Sequence, residues 1–281
     1  MDYGVMMFVT DYSIRPDDLA RMLEERGFES FWAPEHTHIP ASRRSPWPGG
    51  PDLPEMYWHA YDPFVALTAA AMATERLKIA TGICLVIERD PITTAKSVAS
   101  LDLISNGRFL FGIGGGWNAE EMENHGTPFK RRWRHMRQNI LAMKQLWTEE
   151  EAEFHGDLVD FDPVWAYPKP FQKPHPPIIM GGDGPRTFDR VIEYADGWMP
   201  IYGRPGPGPS MGEKIANLKS RAKEAGRDPD SISIGVFGVP PDPDTLAKLA
   251  DAGVERAVLG LPSADRETVE PLLDRYAELI G

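Results

Sequence analysis

The chain has 281 residues with 42 acidic and 30 basic side chains, a net charge of −12 at neutral pH. That balance argues against nucleic acid or an anionic membrane surface as the main partner, while a small anionic cofactor, which responds to local charge, stays open. No stretch of 18 uninterrupted apolar residues occurs, and the opening MDYGVMMFVTDYS lacks a basic run before an apolar one, so neither a transmembrane helix nor a secretory signal is expected. The single cysteine, Cys84, forbids an intrachain disulfide and fits a cytoplasmic setting.

In chain order, a strand is expected near 4–9. DDLARMLEERGFESFWAP (17–34) follows, with Leu19, Met22, Leu23 and Arg26 at helical spacing, then Gly27, then an apolar strand. A helix over 62–73 leads to a strand over 77–85. A helix over 92–104 passes through an Asn106-Gly107 turn into a strand over 108–113. Thr127 and Pro128 read as N-cap and first residue of a long helix. Strands near 177–180, 197–201, 232–236 and 255–259 complete the series, with helices over 186–195 and 244–252 between them. Eight alternating strands with intervening helices predict an α/β fold, a (β/α)8 TIM barrel in a single domain. Two stretches break the repeat. Residues 37–61 form a long loop after the second strand, with Trp47, Tyr57 and Trp58 suited to a packed lid. Residues 152–176 read as a β-hairpin insert and a proline-rich connector.

Gly114, Gly116 and Ala119 satisfy the dinucleotide spacing G-x-G-x-x-A. A Rossmann reading needs those glycines after the first strand and an acid about 20 residues on. Here they follow the fourth strand, and 136–140 reads MRQNI, so that reading fails on context. Barrel enzymes keep their reactive groups at the C-terminal ends of the strands. Those ends here are APEHTH, IATGICLV, GIGGGWN, IIMGGDGPR and PIYGR.

The segments LISNGRFLFGIGGGWNAEE, YPKPFQKPHPPIIMGG, ADGWMP and RGFESFWAPEHTHIP stand in an order and spacing that resembles the bacterial-luciferase-like family. Its members are flavin monooxygenases and oxidoreductases using the deazaflavin coenzyme F420, all on a TIM barrel. The resemblance runs over about residues 4–204. It implies that Glu35 and His36 match the acid-histidine pair beside the reactive ring carbon in the deazaflavin branch, where a histidine can move a proton. It implies a non-proline cis peptide at Thr81–Gly82, or one bond later, against the back of the ring. It also puts Gly114, Gly115 and Gly116 where a flat ring leaves no room for Cβ atoms, with Trp117 beside them. Deazaflavin glucose-phosphate dehydrogenases carry a catalytic glutamate just after these glycines; Trp117 argues against that sugar-phosphate reaction and leaves the general acid unassigned.

Gly181, Gly182 and Asp183 precede a helix, and Arg186 adds charge, a natural anion site. Gly203 and Arg204 match the cofactor-phosphate position of the family. Lys130, Arg131, Arg132 and Arg134 crowd the positive end of a helix dipole, which reads as a plain solvated face or as a site for an acidic partner, either a coenzyme tail or neighbouring carboxylates. His36-x-His38 also has the look of a metal pair, but the remaining histidines supply no further ligand at a strand end, so no metal is expected.

The leading expectation is therefore an F420-dependent oxidoreductase moving a hydride to or from a small organic substrate, working as a homodimer. The alternatives are an FMN-dependent monooxygenase supplied by a partner flavin reductase and a non-catalytic flavin-binding relative.

Overall fold

The computed structural model describes residues 1–203 and 208–280. Its strands are β1 (Asp2–Met6), β2 (Ser30–Ala33), β3 (Lys78–Thr81), β4 (Phe109–Ile113), β5 (Ala152–His155), β6 (Asp160–Val164), β7 (Ile178–Gly181), β8 (Gly197–Met199), β9 (Ser233–Val239) and β10 (Arg256–Gly260). Its α-helices are α1 (Pro16–Glu25), α2 (Met56–His59), α3 (Pro63–Met72), α4 (Pro91–Ile104), α5 (Ala119–Asn124), α6 (Arg132–Thr148), α7 (Thr187–Tyr194), α8 (Met211–Glu224), α9 (Pro243–Asp251) and α10 (Arg266–Ile280).

All strands except β5 and β6 close into one barrel, in the order β1-β10-β9-β8-β7-β4-β3-β2, and every pair is parallel. This is the expected (β/α)8 barrel. The period-2 alternation of the strands sorts side chains to its two faces. Trp32, Ala80, Leu110, Ile179, Met199, Phe237 and Val258 point inward and fill the barrel. Their neighbours Phe31, Ile79, Phe109, Phe111, Met180 and Trp198 face the helices and join the larger core. β5 and β6 pair antiparallel as the expected hairpin outside the barrel. The loop after β2 holds the short helix α2.

One helix start departs from expectation. Thr127 does not cap α6. Its hydroxyl donates to the Ile87 carbonyl at 2.7 Å, a 3-10 turn over Phe129–Arg131 intervenes, and α6 begins at Arg132. Among the described residues no helix is long and apolar enough to cross a membrane.

At the N-terminal end of the barrel, Glu29 receives two hydrogen bonds from Arg256, at 2.8 and 2.6 Å, and one ion pair from Lys78 at 2.8 Å. Burial works to raise the Glu29 pKa, but Arg256 and Lys78 prevail and hold it at about 2. A carboxylate depressed in this way contributes stability above its unfolded pKa and loses it as pH falls through the folded value. Glu29→Gln, which leaves Arg256 buried without its partner, should therefore lower the unfolding free energy at neutral pH by about 3 kcal/mol. In urea titrations its deficit should shrink between pH 4.5 and pH 2, both pH values being set by the unfolded and folded pKa of Glu29.

Candidate active site

β2 runs directly into Glu35 and His36, which are both buried at the C-terminal mouth of the barrel. His36 Nδ1 lies 2.7 Å from Oε2 of Glu121, and the Thr37 N–H donates to the other oxygen of Glu121 at 3.1 Å. Glu121 is fully buried in α5. A carboxylate there accepts the Nδ1 proton, so Nε2 is left as the unpaired nitrogen. Tyr57 and Trp117 pack around the imidazole with centroids at 5.1 and 5.7 Å. The arrangement is that of a base oriented by a carboxylate.

Glu35 does different work from that expected. Its Oε2 accepts the Leu85 N–H at 2.6 Å, and its Oε1 accepts Arg89 Nε at 2.6 Å. Arg89 also bonds Asp62, the N-cap of α3, at 2.5 Å. Burial alone would depress the Arg89 pKa, but Glu35 and Asp62 drive it upward, so the guanidinium stays charged. Both Glu35 oxygens are thus engaged in tying the end of β2 to the loop after β3 and to α3. The acid facing His36 is Glu121.

The resemblance put a cis peptide at Thr81–Gly82 or one bond later, and it is the Gly82–Ile83 bond that is cis. Thr81 ends β3 with its hydroxyl donating to the Gly112 carbonyl at 2.7 Å. Ile83 projects into the mouth. A Cβ on Gly114 would meet Ile83 Cδ1 at 2.2 Å, and one on Gly181 would meet Ile83 Cγ2 at 3.1 Å. A Cβ on Gly115 would strike the Trp133 ring at 2.5 Å, and one on Gly116 the Met122 methyl at 2.6 Å. These glycines therefore make room for the chain's own side chains, so their substitution bears on folding as well as on any ring bound above them.

Gly182 and Gly203 have φ of +98° and +67°, with open space where a Cβ would stand. Asp183 is taken by Lys214 of α8, at 2.5 Å. Arg186 is exposed at the N-cap of α7. Arg204 lies outside the described residues. His38 turns to Thr37 and Asn124, so its ring and that of His36 have separate partners.

The basic segment before α6 divides in two. Arg131 and Arg134 pair with Asp157, which lies between β5 and β6, at 3.2 and 2.8 Å. Arg132 does not; its Nε is buried without a partner. Trp133, the ring over Gly115, carries Arg190 of α7 on its face at 3.9 Å and Arg132 at 5.0 Å. Burial first, and then Arg190, depress the Arg132 pKa, a sign of positive charge left uncompensated.

The lid loop is pinned to α5. Glu120 accepts the Ser45 N–H at 3.0 Å and the Ser42 hydroxyl at 3.2 Å, and the Ser45 hydroxyl reaches its other oxygen. Trp47 Nε1 donates to the Tyr57 hydroxyl at 3.0 Å. Trp47 and Tyr57 are thus packed as expected of a lid, whereas Trp58 is half exposed.

Sequence reasoning missed Glu121, Arg89 and Arg190. A signal for Glu121 was present, because Asn118-x-x-Glu121 has the spacing of a capping box. Asn118 does accept the Glu121 N–H, at 3.3 Å, but the Glu121 carboxylate is diverted to His36.

Gly116 combines a φ of +59° with the Met122 contact. Gly116→Ala should destabilise the cofactor-free protein by about 2 kcal/mol, from the left-handed backbone and the overpacked methyl together. Urea unfolding without any ligand checks this; unchanged stability would confine the glycine's role to ligand binding.

The luciferase-like monooxygenase family matches residues 16–271. An uncharacterized protein of Mycobacterium tuberculosis is 40% identical over 99% of this chain and 98% of its own length. The F420-dependent hydroxymycolic acid dehydrogenase of the same species is 27% identical over 88% of this chain and 66% of that protein. Among solved structures, the monooxygenase RslO1 from Streptomyces bottropensis superposes with a TM-score of 0.79 at 19% identity, covering 100% of this chain and 98% of that one, a likeness of fold. With its closed barrel and a family match across most of its length, this chain belongs to the luciferase-like monooxygenase family.

Proposed function

We propose that the protein is an F420-dependent oxidoreductase that carries out proton-coupled hydride transfer on a small organic alcohol or carbonyl compound. The observation that carries this reading is the buried Glu121–His36 pair, which gives the mouth of the barrel a proton-transfer group. Arg132 and Arg190 around Trp133 form no ion pair among the described residues, a fitting environment for the several anionic groups of a deazaflavin coenzyme. The sequence likeness to an F420-dependent dehydrogenase supports the same choice. Bound F420 would supply the hydride donor or acceptor.

The chain's own residues supply the rest. His36 takes a proton at Nε2 from a substrate hydroxyl, or returns one to a developing alkoxide, while Glu121 holds Nδ1 and steadies the imidazolium. The lid of Trp47 and Tyr57 limits water access from one side. The lone, buried Cys84 fits a cytoplasmic enzyme. Homodimerisation belongs to the same proposal, with the exposed Val65 and Met72 of α3 as its candidate contact.

Titration with oxidised F420 and with FMN over a range of salt concentrations should give tighter binding of F420, by a margin that narrows as salt screens the added charges. Arg132→Ala combined with Arg190→Ala should weaken F420 about tenfold or more, the loss of roughly one charge-assisted contact. FMN bound more tightly at every salt concentration would favour an oxygen-activating monooxygenase served by a partner reductase. Binding of either without turnover of any alcohol or carbonyl would favour a non-catalytic carrier.

His36→Ala should spare coenzyme binding and slow hydride transfer by ~10²-fold or more, as expected for loss of an acid-base group. Stopped-flow absorbance of the coenzyme reads this directly, and an unchanged rate would remove His36 from the chemistry.

A further inference from the structure

Glu88 closes a short 3-10 turn over Val86–Glu88 that packs against α5, the helix carrying Glu121, and the site described above makes no use of it. It is 7% exposed, and no N–H or O–H donor reaches either carboxyl oxygen. An ionised carboxylate in that position would be a buried charge with nothing to stabilise it. The strongest charged influence on it is Glu121, followed by Glu35, and both are acids. Arg89, next along the chain, is turned toward Glu35 and Asp62.

Two carboxyl groups that interact in a buried site hold one proton between them. The hydrogen bonds decide where it sits. Glu121 already accepts from Thr37 N–H and from His36 Nδ1, and both contacts favour its anion. Glu88 has no donor to favour an anion. We propose that Glu88 stands in the native protein as a neutral carboxylic acid that donates its proton to Glu121, and that this bond positions and tempers the carboxylate that holds His36. The inference rests on the reading of His36 as the proton-transfer group.

Burial, together with the charges of Glu121 and Glu35, raises the Glu88 pKa to about 9, in agreement with that arrangement. The other titratable groups around the cluster do not supply the missing charge. Glu35 and Arg89 satisfy each other. The Cys84 thiol is pushed up by burial and by Glu35, and stays neutral. His125 and His135 are biased by burial toward their neutral forms. Glu88 is thus a positioning residue, acting on His36 through Glu121. A neutral donor on Glu121 spreads the charge that His36 would otherwise face alone.

The test uses the full chain without coenzyme, so its outcome is separate from that of the F420 titrations. Infrared spectra at neutral pH should contain the C=O stretch of a protonated carboxyl that Glu88→Gln removes. A group with a raised folded pKa stabilises the protein below its unfolded pKa and loses that contribution as pH rises through the folded one. The wild type should therefore lose thermal stability relative to Glu88→Gln between about pH 4.5 and pH 9, a window bounded by the ordinary and the raised Glu88 values. Glu88→Gln keeps shape and a donor, so the His36 ring resonances should titrate as in the wild type. Glu88→Leu removes the donor, and its His36 resonances should titrate at higher pH. The opposite displacement in Glu88→Leu would mean that a negative charge had been removed, and would overturn the proposal. Absence of the infrared band, or parallel stability curves for the wild type and Glu88→Gln, would overturn it as well. Should Glu88→Leu fail to fold, the infrared and stability comparisons with Glu88→Gln still decide.

Discussion

Three acidic side chains, Glu35, Glu88 and Glu121, are buried at the mouth of this barrel beside one guanidinium and one imidazole. Burying unbalanced charge costs far more than any single contact returns, so this group has to be neutralised locally. Arg89 answers Glu35 and Asp62, His36 and Thr37 answer Glu121, and Glu88 keeps its proton. The end of β2, the loop after β3, α3 and α5 are all fixed by that arrangement. The imidazole consequently has one committed nitrogen and one available nitrogen, which is what a proton-transfer group requires.

The two ends of the barrel divide their tasks in physical terms. The N-terminal end carries Glu29 with Arg256 and Lys78, a cluster that joins β10 and β3 to the segment entering β2. The C-terminal end carries groups whose ideal partners are incomplete, namely Glu88 and Arg132, beside a His36 held through Nδ1 alone. Incomplete satisfaction is a stability loss that a closed barrel tolerates because its packing lies elsewhere, between strands and helices. The lid extends this division, since Glu120 and Glu121 are adjacent on α5 yet serve different ends. One pins the loop over the mouth and the other holds the histidine beneath it.

The insert hairpin has a comparable electrostatic effect. Asp157 takes up Arg131 and Arg134, and Gln138 bonds the same carboxylate at 2.5 Å. The basic run that looked uniform along the chain is thereby split into a compensated outer pair and an uncompensated inner one. Arg132, with Arg190 from the next helix of the barrel, is placed to meet an anion near Trp133 and the glycines. A ligand with several negative charges gains more from that environment than a neutral one does.

Much of this molecule could be read from its sequence, because strand alternation, helix spacing and turn residues act over a few positions. The eight barrel strands, the hairpin insert, the long loop after β2 and the His36 position followed from such local patterns and from the family's ordered motifs. Local pattern also misled. Thr127-Pro128 has the form of a helix start, yet the Thr127 hydroxyl is claimed by the Ile87 carbonyl, 40 residues earlier. The pairing of carboxylates could not be read at all. Glu35 and Glu121 are both acids beside motif residues, and only the closure of the barrel decides that Glu35 meets Arg89 while Glu121, 85 residues beyond His36, meets the imidazole. The glycines followed the same rule, since the atoms they avoid belong to Ile83, Trp133 and Met122, which approach from other parts of the chain. Sequence determined which groups were present at the strand ends; the charge each one carries and the partner it keeps were decided by burial, which exists only once the chain has folded.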